Sequence, residues 1–167
     1  SISISNFNLP VVNLGNDIYY CENTTFNQPL DAGSGFTVYN WMNGSNAQIL
    51  VADQSMTTVW VEVIDNNTCS NSDTIQVIQN QSPYVNLGSD DSVCSGQGTV
   101  LNSNTSPSAI TSYLWSTNET TPTIIYTAPL NVTTPVVNSY SITVTDTNSC
   151  MNSDTINVTA LPLPTPD

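Results

Sequence analysis

One pattern of residues occurs twice in this chain, and a pattern repeated at this length means two copies of one supersecondary unit. Pro10-Val-Val-Asn-Leu-Gly-Asn-Asp17 returns 73 positions later as Pro83-Tyr-Val-Asn-Leu-Gly-Ser-Asp90, and Cys21 and Cys94 keep that spacing. Tyr39-Asn-Trp41 returns at 74 as Tyr113-Leu-Trp115. Asp65-Asn-Asn-Thr-Cys69-Ser-Asn-Ser-Asp-Thr-Ile75 returns at 81 as Asp146-Thr-Asn-Ser-Cys150-Met-Asn-Ser-Asp-Thr-Ile156. The drift places an insertion in the second copy, near residues 127–138. Two modules follow, over residues 10–82 and 83–162. Moving back 73 positions from Ile75 and Val77 lands on Ile2 and Ile4, so residues 1–9 read as the last strand of a preceding module. Residues 163–167 read as the start of a following one, or a linker.

Aligning the copies shows which side chains should face inward. Val59, Val61 and Val63 match Tyr140, Ile142 and Val144, while Glu62 between them matches Thr143. This period of two is that of a half-buried strand. Ile75 and Val77 match Ile156 and Val158 and read as core, as do the Trp residues of Tyr39/Trp41 and Tyr113/Trp115. Strand signals recur at roughly 8–12 residues between Asn, Gly and Pro turns, and no stretch keeps a 3.6-residue period. The expected fold is all-β: two immunoglobulin-like sandwiches of about seven strands each.

Composition then excludes whole classes of function. The chain has no Lys, Arg or His against 13 acidic residues, a formal charge of −13. Without Lys or Arg it cannot neutralise phosphates, which argues against nucleic acid as a partner. Triads, Schiff bases and arginine fingers are equally out of reach. Lys–Asn isopeptide crosslinks and trypsin cleavage need residues that are missing. No apolar run approaches the 18 or more residues of a membrane-spanning helix, so direct membrane insertion is not expected. The carboxylates Glu22, Glu62 and Glu119 are scattered and form no pair suited to glycoside chemistry. The chain is therefore not expected to be an enzyme.

Four cysteines without a C-x-x-C pair or any His point to disulfides in an oxidising, extracytoplasmic setting rather than to zinc. Pairing within each module predicts Cys21–Cys69 and Cys94–Cys150, and on a loop-entropy basis each would be worth roughly 4 kcal/mol. A bridge between modules, such as Cys69–Cys94, is the alternative.

The succession P-x-V-x-L-G-x-D, Cys, Tyr-x-Trp, an alternating Val strand and Cys-x-N-S-D-T-I resembles the PKD-like and immunoglobulin-like tandem repeats of very large Bacteroidetes surface proteins, including gliding-motility adhesins. Tyr39-Asn-Trp41-Met-Asn-Gly44 approaches the PKD pattern around the Trp, whereas Tyr113-Leu-Trp115-Ser-Thr-Asn118 departs from it by lacking the Gly. The resemblance implies export to the cell surface through the type IX route. It also implies O-glycosylation at Asp-Ser/Thr followed by a small or apolar residue, which fits Thr74, Thr155 and Ser92; the competing reading is that D-T-I merely starts a strand. N-x-Ser/Thr sequons occur at Asn23, Asn43, Asn66, Asn80, Asn104, Asn118, Asn131 and Asn157, in a chain rich enough in Asn and Thr to generate them by chance.

Two further site classes follow from the residues. Trp60 aligns with Ser141 and alternates with inward valines, so it should face outward, where an indole can stack on a sugar or anchor a protein. Asp65, Asp90, Asp91 and Asp146 lie in loops and are candidates for calcium, which prefers oxygen ligands, although Asp is also an ordinary turn former. No other cofactor is implied. The function expected is a structural or adhesive repeat segment of a secreted surface protein or fibre, a rigid and protease-resistant spacer. Its partners would be neighbouring repeats, copies of itself or surface glycans. The alternatives are a carbohydrate-binding module using Trp60 or the insertion, and a subunit of a filament assembled by strand exchange.

Overall fold

The alternating apolar stretches all become strands, and a computed structural model describes residues 6–105 and 109–164. The chain divides into two units, Ser1–Asn80 and Gln81–Asp167. In unit 1, β1 (Ile18–Cys21), β6 (Ser70–Asn80), β5 (Thr58–Ile64) and β3 (Val38–Trp41) form one sheet in that order. β2 (Asn27–Asp31) and β4 (Ile49–Asp53) form the other. Unit 2 repeats the plan: β7 (Asp91–Cys94), β12 (Met151–Leu161), β11 (Val136–Asp146) and β9 (Ile110–Trp115) face the pair β8 (Gly98–Asn102) and β10 (Thr123–Thr127). No helix occurs among the described residues.

Every strand pair is antiparallel except the first with the last of each unit, β1 with β6 and β7 with β12. A three-strand antiparallel core sheet faces a smaller sheet, and an opening strand runs parallel to the closing one. That order is of the immunoglobulin type. Each unit has six described strands rather than about seven, and a tight turn at Trp41–Gly44, with its counterpart at Trp115–Asn118, follows the third strand of each unit.

The inward residues are those the alignment marks. Val59, Val61, Val63, Ile142, Val144 and Val158 are fully buried, with Ile75, Val77 and Ile156 beside them. Each sandwich centres on its Trp: Trp41 in one core cluster and Trp115 in the other. The indole N–H of Trp41 donates to the Ala47 carbonyl at 2.7 Å, and that of Trp115 to Thr121 at 2.8 Å. A buried Trp needs such a partner, and the turn that follows each Trp supplies it. Gly44 occupies the left-handed region of that turn at φ 82°, and Asn118 takes the same place at φ 73°. Asn is among the few residues that tolerate this region, so the missing glycine leaves the turn intact.

Residues 1–5 and 165–167 lie outside the described residues, and residues 6–9, expected to continue a strand, form none. The insertion in unit 2 is the segment 128–135 together with the start of β11, which reaches 11 residues where β5 has seven.

The disulfide pairing differs from the expectation. Cys69 and Cys94 are free thiols, whereas Cys21 and Cys150 are disulfide-bonded. Neither Cys21–Cys69 nor Cys94–Cys150 forms, and the reason is strand length. Cys21 pairs in register with Asn80, the last residue of β6, while Cys69 immediately precedes the first. Cys94 pairs with Leu161 at the end of β12, and Cys150 precedes Met151 at its start. At about 3.3 Å per residue an 11-residue strand holds each pair roughly 35 Å apart, against about 4.4–6.8 Å between the Cα atoms of a disulfide.

Candidate functional site

The repeated motifs converge on one arrangement, built identically in both units. The opening segment of each module has no strand of its own before β1 or β7, so its backbone groups need partners. The N-S-D-T-I stretch provides them. Asn71 Nδ2 donates to the Pro10 carbonyl at 2.8 Å, and Asp73 Oδ2 accepts from the Leu14 N–H at 2.7 Å. Asn152 holds Pro83 at 2.9 Å and Asp154 holds Leu87 at 2.7 Å. Asp17 and Asp90 reach the other way, Oδ1 accepting from the backbone N–H of Gln76 at 2.8 Å and of Asn157 at 2.9 Å. Each module is thus laced shut across its first and last segments by side chains from both. The roles of Asn71 and Asn152 were missed from sequence, although their fixed place two residues before the Asp was the signal.

The calcium candidates are dispersed by the fold. Asp65 and Asp146 each organise the turn before the closing strand. Asp65 Oδ1 accepts from the N–H of Asn67 and Cys69 at 2.8 and 3.0 Å, and Asp146 Oδ1 from Asn148 and Cys150 at 2.8 and 2.9 Å. Asp90 accepts from both the backbone and the side chain of Asn157, which holds its carboxyl below the usual carboxylate range. Asp91 accepts from Ser92 N–H at 2.8 Å and Thr99 Oγ1 at 3.1 Å. No three metal-ligating side chains cluster among the described residues. Two more carboxyls lie low for the same reason: Asp31, held by the Gln48 side chain and Gly33 N–H, and Asp53, held by the Ser55 hydroxyl and N–H. The Tyr140 hydroxyl is pushed up, through burial first and then the neighbouring Tyr126 and Glu119.

Trp60 is 41% exposed, between Val59 and Val61 at 0%. It lies opposite Thr74 in the β5–β6 register, and Thr74 is exposed. The counterpart pair is Ser141 opposite Thr155. Ser92 and Thr155 are exposed as well. The Asn104 sequon runs into residues 106–108, outside those described. In unit 2 the insertion closes on the turn after Cys94: Ser95 Oγ donates to the Pro129 carbonyl at 2.9 Å, and Gly96 N–H faces the Ala128 and Pro129 carbonyls at 3.3 Å. Leu130 stands 78% exposed on this loop. Among the described residues no pocket is present.

No family model and no curated protein matches the chain. Among solved structures, the chain is similar to the paired IG1 and IG2 domains of DIP-gamma, at 6% identity and TM-score 0.38, over 87% of this chain and 94% of that one. It is also similar to a three-domain titin structure, I67–I69 in an E-to-A variant, at 9% identity and TM-score 0.43, over 92% and 65%. A third is SGBP-B of the Bacteroides ovatus mixed-linkage glucan utilization locus, in complex with a mixed-linkage heptasaccharide. That likeness is at 15% identity and TM-score 0.28, over 90% of this chain and 45% of that one. With TM-scores below 0.5 none of these bears on function, and the fold rests on the strand order given above.

Proposed function

We propose that this chain is a structural, adhesive repeat segment of an extracellular surface protein, of the kind found in giant Bacteroidetes adhesins, acting as a stiff spacer. One observation carries the reading: the motifs kept in both modules are spent on lacing each module to itself. Asn71, Asp73 and Asp17, with Asn152, Asp154 and Asp90, all bond backbone groups of their own unit. A segment selected to endure needs such lacing, while one selected to transform a substrate keeps some polar groups uncommitted. The disulfide-bonded cysteines fit an oxidising, extracellular setting, and the charge of −13 would keep neighbouring chains apart.

The deciding experiment is limited proteolysis with chymotrypsin and pepsin alongside a glycan array. Resistance of the intact chain with a silent array supports the spacer. Ready cleavage inside either sandwich refutes it. A second reading, a carbohydrate-binding module, is favoured by the exposed Trp60 indole beside Thr74. Array binding that is lost in Trp60→Ala would establish it.

A further inference from the structure

We propose that β10 pairs edge to edge with β10 of a second copy of this chain, joining the smaller sheets of the two second units across a two-fold axis at Ile125. The inference goes beyond the spacer reading and does not depend on it.

The edge is open, and its bonding groups are symmetric about that residue. Among the described residues β8 is the only strand beside β10. Ser103 N–H donates to the Pro122 carbonyl at 3.1 Å, and Ala128 N–H to the Gln97 carbonyl at 2.8 Å. These bonds bracket the register from Thr123 opposite Asn102 to Thr127 opposite Gly98 and fix its alternation. Ile124 and Tyr126 turn their N–H and C=O groups toward β8, whereas Thr123, Ile125 and Thr127 turn theirs to the uncovered edge. An antiparallel second copy centred there sets Ile125 against Ile125 and Thr123 against Thr127. Every outward donor then meets an outward acceptor, roughly six bonds in all. The Thr123 carbonyl accepts from the Thr121 hydroxyl at 2.7 Å and keeps a second lone pair for the new bond.

The side chains agree with the backbone. Val100 and Ile125 are directly opposite each other and 62% and 75% exposed. In the joined sheet they line up as Val100, Ile125, Ile125 and Val100, an apolar row that a single copy leaves in water. Neither β8 nor β10 contains a charged residue or a proline. The other side of this sheet is less open to a like-charged copy, because Asp91 accepts from Thr99 Oγ1 beside β8.

Unit 1 shows the same edge guarded. Ala32 N–H bonds the Gln48 carbonyl at 3.1 Å, one pair beyond Asp31 opposite Ile49, so β4 turns Ile49, Val51 and Asp53 outward. The same pairing there would set Ile49 against Asp53 of the second copy, placing that carboxylate in one row with Asp31. Charges so placed are a usual barrier to edge pairing, as is a proline such as Pro29 on β2. Unit 2 has Asn102, Thr123, Thr127 and Gly98 in that row instead.

The test follows the full chain, with Cys69 and Cys94 blocked by alkylation, in sedimentation velocity as its concentration is raised. The expected result is a reversible exchange between 17.9 kDa and twice that mass, with nothing larger, because a two-fold contact closes on itself. Added salt should favour the dimer, since each copy carries −13 and screening lowers the repulsion. Thr123→Asp combined with Thr127→Asp sets like charges directly opposite at both ends of the pairing and should weaken it about tenfold. Amide hydrogen exchange locates the contact without any substitution. Exchange at Ile125 and Thr127 should slow as the dimer fills, while Ile124 and Tyr126 are protected in both states. A chain that stays at 17.9 kDa up to millimolar concentration overturns the proposal. So does a dimer that the double Asp variant leaves intact, or one in which Ile125 exchanges as it does in the monomer.

Discussion

The two modules are built to one plan, yet they differ where the chain leaves the smaller sheet for the closing hairpin of the larger one. Unit 1 passes from β4 to β5 through four residues, 54–57, and β5 has seven residues. Unit 2 passes through eight, 128–135, and extends β11 to 11. The added strand residues Val136 and Val137 pair with Ala160 and Thr159, and Asn138 Nδ2 bonds the Tyr126 hydroxyl at 2.9 Å. Yet the lacing bonds at Pro10/Leu14 and Pro83/Leu87 agree within 0.1 Å. Loops that touch neither the Trp nor the lacing can lengthen at small entropic cost, whereas the lacing sets the register on which both sheets depend.

The hardest way to break this likeness is at the centre. Trp41→Ala and Trp115→Ala should each cost about 3–5 kcal/mol, seen as loss or early onset of one unfolding transition in urea. Equal losses confirm equivalent cores, and a loss below 1 kcal/mol in either would show that its Trp is not a core anchor. Next come Asp73→Ala and Asp154→Ala, which orphan the Leu14 and Leu87 N–H groups. About 1–3 kcal/mol is expected for each, and unequal values would mean that one module holds its opening segment by other means. The turns give a smaller effect of opposite sign in the two units. Asn118→Gly should be neutral or slightly stabilising, and Gly44→Val should destabilise by about 1–2 kcal/mol, because a β-branched residue resists positive φ.

Acid should produce the gentlest separation. The carboxyls of Asp31, Asp53 and Asp90 titrate below their unfolded values because their charged forms accept hydrogen bonds. Their contribution is present above the ordinary Asp range near about 4 and is lost as pH falls through the lower folded value. Asp90→Asn should lower Tm near neutrality and flatten its fall below about pH 4. An unchanged acid limb would show that this bond adds nothing to unit 2. Trp60→Ala should move Tm within the scatter of surface substitutions, about 0.5 kcal/mol.

Much of this fold was legible because the chain is its own alignment. Val59 against Tyr140 and Val61 against Ile142 separate the inner from the outer face without any second sequence. What stayed hidden was distance through space. The spacing from Cys21 to Cys69 looks like a loop closed by a bridge. Only the parallel register of β1 on β6 shows that the two residues sit at opposite ends of a strand. The calcium candidates were obscure for a related reason, since a turn-forming Asp and a ligand Asp read alike until the donors to Asp65 and Asp146 are known.

The parallel pairing of β1 with β6 also decides how a module answers a pull. Tension applied through the segment before β1 and through the end of β6 draws the two strands in opposite directions along their length. Ile18 to Cys21 would have to slide past Val77 to Asn80, so the bonds between them are loaded sideways and must yield together rather than unzip one by one. β7 on β12 repeats the geometry, from Asp91 to Cys94 against Val158 to Leu161. A short patch of four paired residues in each module is then a shear clamp, and a module pulled in this way resists load at that clamp before its core is exposed.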